Sequence, residues 1–144
     1  MQELKLTWEE RIESIKAGSI AAGTIALLHF GFALILSTNE FLINQFAAFP
    51  IHHAVSGVIA LFAGFLFGVT YRYIIRQDQS SHLKSGAVLA FGLVRGSAQI
   101  DLGVTAQTLI PAGILAIESV LLFAIARLML DWTIHLGWVR RFRG

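Results

Sequence analysis

The sequence predicts an all-α integral membrane protein, a four-transmembrane-helix bundle preceded by a short N-terminal amphipathic interfacial helix. Three observations predict it. First, 56% of the 144 residues are hydrophobic and only 14% are charged, with a mean hydropathy of +0.69. A soluble domain carries about 25% charged residues, so this chain needs lipid around its apolar excess. Second, the apolar residues gather into four stretches, each near the roughly 20 residues that cross a hydrocarbon core about 30 Å thick. Third, every Lys and Arg except Arg95 lies between those stretches or near their ends, in a pattern that alternates along the chain. The length suits one membrane domain spanning 1–144.

The first element is the interfacial helix, over about 7–16. Thr7 with Glu10 three residues on is a capping-box pattern. Trp8, Ile12 and Ile15 fall on one helical face, opposite Glu9, Glu10 and Glu13. Such an acidic start is wrong for a cleavable signal, so the first apolar stretch reads as a retained helix. The spans follow at about 17–37, 51–75, 83–103 and 109–130, the third being the most polar. Their short connections, about 38–50, 76–82 and 104–108, favour antiparallel neighbours in a compact bundle. Pro50 precedes the second span and Pro111 sits in the first turn of the fourth, where proline is tolerated. No span shows a mid-helix break of the kind transporters use for ion sites.

Orientation follows from the basic residues. Lys5, Arg11 and Lys16 lie at the N-terminus, Arg72, Arg76 and Lys84 around the second connection, and Arg127, Arg140, Arg141 and Arg143 towards the C-terminus. The first and third connections hold none, only Glu40 and Asp101 in or beside them. The positive-inside rule then sets both termini in the cytoplasm. The same rule explains the pI near 9.4, so nucleic acid is not among the expected partners. Arg72, Arg76, Lys84, Arg140, Arg141 and Arg143 form the expected cytoplasmic basic face. Tyr71, Tyr73, Trp132 and Trp138 fall at aromatic-belt positions on that side.

Small residues recur at four-residue spacing: Gly18, Ala22 and Ala26 in the first span, Ala60, Gly64 and Gly68 in the second, Gly92 and Gly96 in the third. That spacing lets backbones approach closely, which matters where lipid provides no hydrophobic drive for association. It serves packing within the bundle or against another chain.

Arg95 and Glu118 stand inside the third and fourth spans. At 1.5 Å per residue each lies roughly 14–18 Å from the face where its span starts, so their depths nearly coincide. A lone charge there costs about 2.5–3.5 kcal/mol on insertion scales, so a buried pair is expected. Gln99 is one turn outward on the face of Arg95, with Asp101 and Gln107 beyond it. Three readings of this seam stand: an ion pair that sets helix register, a polar pathway or anion site, or half-pairs awaiting a partner chain. Arg127 is placed to snorkel to the interface.

His29 lies within the first span beside Phe30 and Gly31. A histidine there either hydrogen-bonds a neighbouring helix or ligates haem iron or chlorophyll magnesium. Chlorophyll and haem are therefore the candidate cofactors. His52 and His53 are adjacent and point in different directions, a poor metal pair. There are no cysteines, hence no thiolate site. No nucleophile elbow, phosphate loop, dinucleotide fingerprint or zinc-protease motif occurs, and no catalytic residue is assigned.

The stretch Arg72–Gly96, RYIIRQDQSSHLKSGAVLAFGLVRG, carries Arg76-Gln77-Asp78, His82-Leu83-Lys84 and Ala90 to Gly96. In these it resembles a segment of small uncharacterised four-helix membrane proteins of cyanobacteria and plastids. The resemblance covers about a sixth of the chain. It implies a photosynthetic or plasma membrane and an accessory role around a photosynthetic complex. The leading expectation is thus a non-enzymatic accessory or assembly subunit with other membrane subunits as partners. Two alternatives accompany it: a small transporter or channel lined by the Arg95–Gln99–Glu118 seam, and a pigment- or haem-binding protein using His29.

Overall fold

The structure, a computed structural model, describes residues 7–40, 43–44, 53–75, 80–100 and 109–142. Four long helices form an all-α bundle: α1 (Trp8–Thr38), α2 (His53–Ile74), α3 (Ser81–Ile100) and α4 (Leu109–His135). Three of them, α1, α2 and α4, are long and apolar enough to cross a membrane. α3 is the exception because Lys84 and Arg95 share its 20 residues with Ser85, Ser97 and Gln99. Arg76, Asp101, Gln107, Arg143 and His52 lie outside the described residues, as does the side chain of His53.

The separate interfacial helix expected over 7–16 is instead the first turns of α1. Thr7 caps it, accepting from the Glu10 N–H at 3.4 Å, and the helix then runs unbroken for 31 residues. At 1.5 Å per residue that is about 46 Å, well beyond a hydrocarbon core. Tertiary contacts hold these turns upright. Arg72 of α2 donates to the Glu10 carboxylate and carbonyl and to Ser14 Oγ. The Glu10 carboxylate is therefore drawn to Arg72 from across the bundle. Trp8, Ile12 and Ile15 remain exposed on the opposite face.

The helices associate as two close pairs, α1 with α2 and α3 with α4, joined mainly where α1 meets α4. Glycine makes both pairs close. A Cβ on Gly64 would sit 3.0 Å from the Ala22 Cα, and one on Gly68 would strike the Ala17 carbonyl and reach 2.8 Å from the Gly18 Cα. A Cβ on Gly92 would lie 2.8 Å from the Val120 Cα, and one on Gly96 3.1 Å from the Ala116 Cα. The small-residue faces of α1 and α2 therefore meet each other. Outward, Leu27, Phe30, Leu34, Phe62, Leu66, Val94, Ile110 and Leu128 are exposed, an apolar surface suited to acyl chains.

An aromatic layer fills the interior. Phe67 contacts Phe123 and Phe91 edge-on, with centroids 5.2 and 5.4 Å away, and stacks on Tyr71 at 5.4 Å. Beyond it, one end of the bundle is closed by charge. Tyr71, expected in an aromatic belt, is buried and donates its hydroxyl to Asp131 at 2.9 Å. Lys84 reaches the same carboxylate at 3.3 Å, and Arg127 lies 3.9 Å from it. Arg127 also donates to Ser85 at 3.1 Å, so it bridges α3 and α4 rather than simply snorkelling.

Arg72, expected on an exposed basic face, is only 1% exposed. Its remaining donor, Nε, meets the Arg140 carbonyl at 2.8 Å. The chain reaches that position because α4 ends in a Schellman turn. Gly137 adopts φ 76°, the Trp138 N–H bonds the Thr133 carbonyl at 3.0 Å, and the Gly137 N–H bonds that of Ile134 at 3.1 Å. The tail then folds back, burying Val139 and Phe142. The Arg140 N–H donates to Glu13 at 2.9 Å, while the Arg140 side chain stays exposed and Arg141 is half-buried.

Candidate functional site

A second polar layer lies deep in the bundle, separated from Asp131 by a rise of about 20 Å along α4. It is built by three helices. α1 contributes His29, α3 contributes Arg95 and Gln99, and α4 contributes Glu118 and Ser119. Helical periodicity puts each residue there. On α3 the buried stripe is Ala87, Val88, Gly92, Arg95 and Gly96, so Arg95 follows Gly92 by one turn towards the same neighbour. On α4 the stripe through Leu115, Glu118, Ser119 and Leu122 faces both α1 and α3.

Glu118 is the hub. Its Oε1 lies 3.2 Å from His29 Nδ1, and its Oε2 lies 3.9 Å from Arg95 Nη1. The first is a hydrogen bond. The second is an ion pair too long to be one. Arg95 Nη1 instead donates to Ser119 Oγ at 2.8 Å, and Ser119 donates onward to Gln99 Oε1 at 3.2 Å. Donor and acceptor thus run in one direction, from the guanidinium to the half-buried Gln99 in the last turn of α3. The three ionisable groups are all buried, His29 9% exposed and Arg95 and Glu118 each 6%.

The layer is incompletely satisfied. Among the described residues, His29 Nε2, Arg95 Nε, Arg95 Nη2 and Glu118 Oε2 are buried with no hydrogen-bond partner. Leaving a buried polar group unmet costs about 1–3 kcal/mol, more when it is charged. An ion pair whose only task was to set register would be expected to satisfy its own donors. The aromatic layer of Phe67, Phe91 and Phe123 separates this site from the charged end of the bundle.

The Arg95, Glu118 and Gln99 named from sequence are therefore assembled together. His29, weighed as an axial ligand, is brought to the same cluster and turned inward onto Glu118. Sequence reasoning missed that union, although a signal existed. His29 precedes the end of α1 by the same nine residues that separate Glu118 from the start of α4, which equates their depths. It also missed Ser119, Asp131 and the Glu10–Arg72 contact. Asp131 stood four residues after Arg127, a helical ion-pair spacing. Gly64, Gly68, Gly92 and Gly96 belong to helix contacts within the chain. Arg72 and Lys84 are consumed by Glu10 and Asp131.

No known protein family, characterised protein or solved structure matches the chain. Its class rests on its own residues: an integral, multi-pass, all-α membrane protein built as a four-helix bundle.

Proposed function

We propose that this chain is a small proton-linked transport protein in which the His29–Glu118 pair, set against Arg95 at mid-bilayer, carries the proton. The observation that carries the reading is the unsatisfied edge of the cluster, His29 Nε2 with Arg95 Nε and Nη2, buried where an ionisable group is costly. A titratable pair can change charge there without moving a helix, and the Phe67–Phe91–Phe123 layer is a hydrophobic barrier on one side. In this reading α3 is the fourth crossing, its two charges tolerated because Arg95 meets Glu118 and Lys84 meets Asp131. The positive-inside rule supports placing the charged end, with both termini, in the cytoplasm.

The accessory-subunit reading, with its photosynthetic setting, rests on the resemblance, the small size, the lack of catalytic motifs and the basic cytoplasmic side. The added idea that Arg95 or Glu118 awaits another chain is weakened, since the two lie 3.9 Å apart within this one. The pigment reading retains a buried His29 ring nitrogen but must share the residue with Glu118.

Reconstituted vesicles carrying an internal pH dye test the proposal. The native chain should dissipate an imposed pH gradient faster than empty vesicles. Glu118→Gln should lose that flux while remaining monodisperse. The double variant Arg95→Gln, Glu118→Gln removes both charges and should recover stability lost by either single change, with a coupling of about 1–3 kcal/mol, but not flux. Full flux in the double variant would reduce the pair to a structural one and sink the reading.

A further inference from the structure

The guanidinium of Arg95 has two distinct edges. Nη1, on the side of the aliphatic stem, is used by Ser119 and faces Glu118. Nε and Nη2 form the other edge, two parallel N–H donors in a fixed plane. That edge matches two oxygens of a carboxylate or similar planar oxyanion. Here it is buried and meets no acceptor among the described residues. Meanwhile the carboxylate that balances Arg95 stands off at 3.9 Å and shares itself with His29 at 3.2 Å.

We infer that the Nε–Nη2 edge of Arg95 is a recognition site for a small planar oxyanion of the carboxylate class. This inference rests on the transport reading of the same cluster and names its substrate. The anion reaches the site from the Gln99 end, along the Arg95–Ser119–Gln99 chain, because the aromatic layer closes the opposite direction. Binding replaces Glu118 as the counter-charge of Arg95. One proton from solvent then joins the His29–Glu118 pair, either on the carboxylate or on His29 Nε2. One anion and one proton enter together, so the buried charge of the cluster is unchanged. Among the described residues, the titratable groups within reach of Glu118 are His29 from α1 and Arg95 from α3, and α2 adds none.

Formate and nitrate are suitable probes, with chloride as the spherical control. Calorimetry on the full chain in detergent should show formate and nitrate binding that strengthens on acidification, by up to about tenfold per pH unit, as uptake of one proton with the anion requires. Glu118→Gln should bind nitrate without that pH dependence. Arg95→Lys keeps the charge but not the fork, and should lose the preference for nitrate over chloride. Native protein that binds neither probe, binding with no proton uptake, or an Arg95→Lys variant that discriminates as well as the native chain would each overturn the inference. Nitrate, which does not cross lipid as a neutral acid in this pH range, serves the flux assay. Proton flux indifferent to nitrate would refute the inference and leave the transport reading standing. Binding without any flux would do the reverse.

Discussion

Arg72 shows how little a residue's type says about its surroundings in this chain. It sits in the last turn of α2, where a basic residue suits both the helix dipole and the positive-inside pattern. From sequence it belonged to a solvated face. In the fold all of its donors turn inward, to Glu10, Ser14 and the Arg140 carbonyl. Removing one partner of a buried pair leaves the rest unmet, a loss of about 3–5 kcal/mol. Arg72→Met should therefore lower the thermal midpoint markedly and expose the C-terminal tail to limited proteolysis. Arg140→Ala, which keeps the carbonyl and loses only an exposed side chain, should leave both unchanged. Equal behaviour of the two variants would show that Arg72 does not hold that end together. Arg95 and Glu118 were legible from the sequence because charge at that depth is rare and costly. His29 was legible as unusual, yet its partner was not, since eighty-nine residues separate it from Glu118.

At the scale of elements, small residues decide which helices touch. Gly68 and Gly23 look alike in the sequence, each a glycine inside an apolar span. A Cβ on Gly68 would meet the Ala17 backbone, whereas one on Gly23 would meet nothing within 4 Å. Gly68→Ala should cost about 1–3 kcal/mol through overpacking and weaken the α1–α2 pair. Gly23→Ala should be neutral or gain up to about 1 kcal/mol, since alanine loses less backbone freedom in a helix. Melting curves in one detergent compare them directly, and equal midpoints would contradict the close α1–α2 contact. The helix bounds themselves were largely readable. The misreading was at the start of α1, where an amphipathic pattern suggested a helix lying on the membrane. Glu10, Glu13 and Ser14 are polar there because they bind Arg72, Lys16 and the tail, not because they face water.

For the whole molecule, the crossing of the bilayer by α3 has the most consequence. Its composition alone falls short of a span, yet its buried stripe packs along α4 from Lys84 to Gln99. The chain has no cysteine, so single introduced thiols report cleanly. Asn39→Cys and Leu109→Cys should react with an impermeant maleimide from one side of the membrane, and His82→Cys and Arg140→Cys from the other. Labelling of positions 82 and 109 from the same side would mean that α3 does not cross, and the mid-bilayer site would fall with it. The two polar layers give the bundle a polarity of its own. One end is tied by Arg72 and Asp131, and the deep cluster runs through Ser119 to the half-buried Gln99.

By itself the sequence determined the solvent of this protein and the presence of four long helices, and it marked Arg95 and Glu118 as charges inside apolar helices. These depend on composition and on the rise of a helix, which are local quantities. Only the tertiary structure decided that His29 joins Glu118, that Arg72 is interior, that the first turns of α1 continue into its span, and which edge of Arg95 is left without an acceptor among the described residues. Each of those depends on which face of one helix meets which face of another. In lipid that choice is made by backbone approach at glycine and by scarce polar contacts: the four-residue spacing of small residues marks a face for close approach, but not which helix it meets.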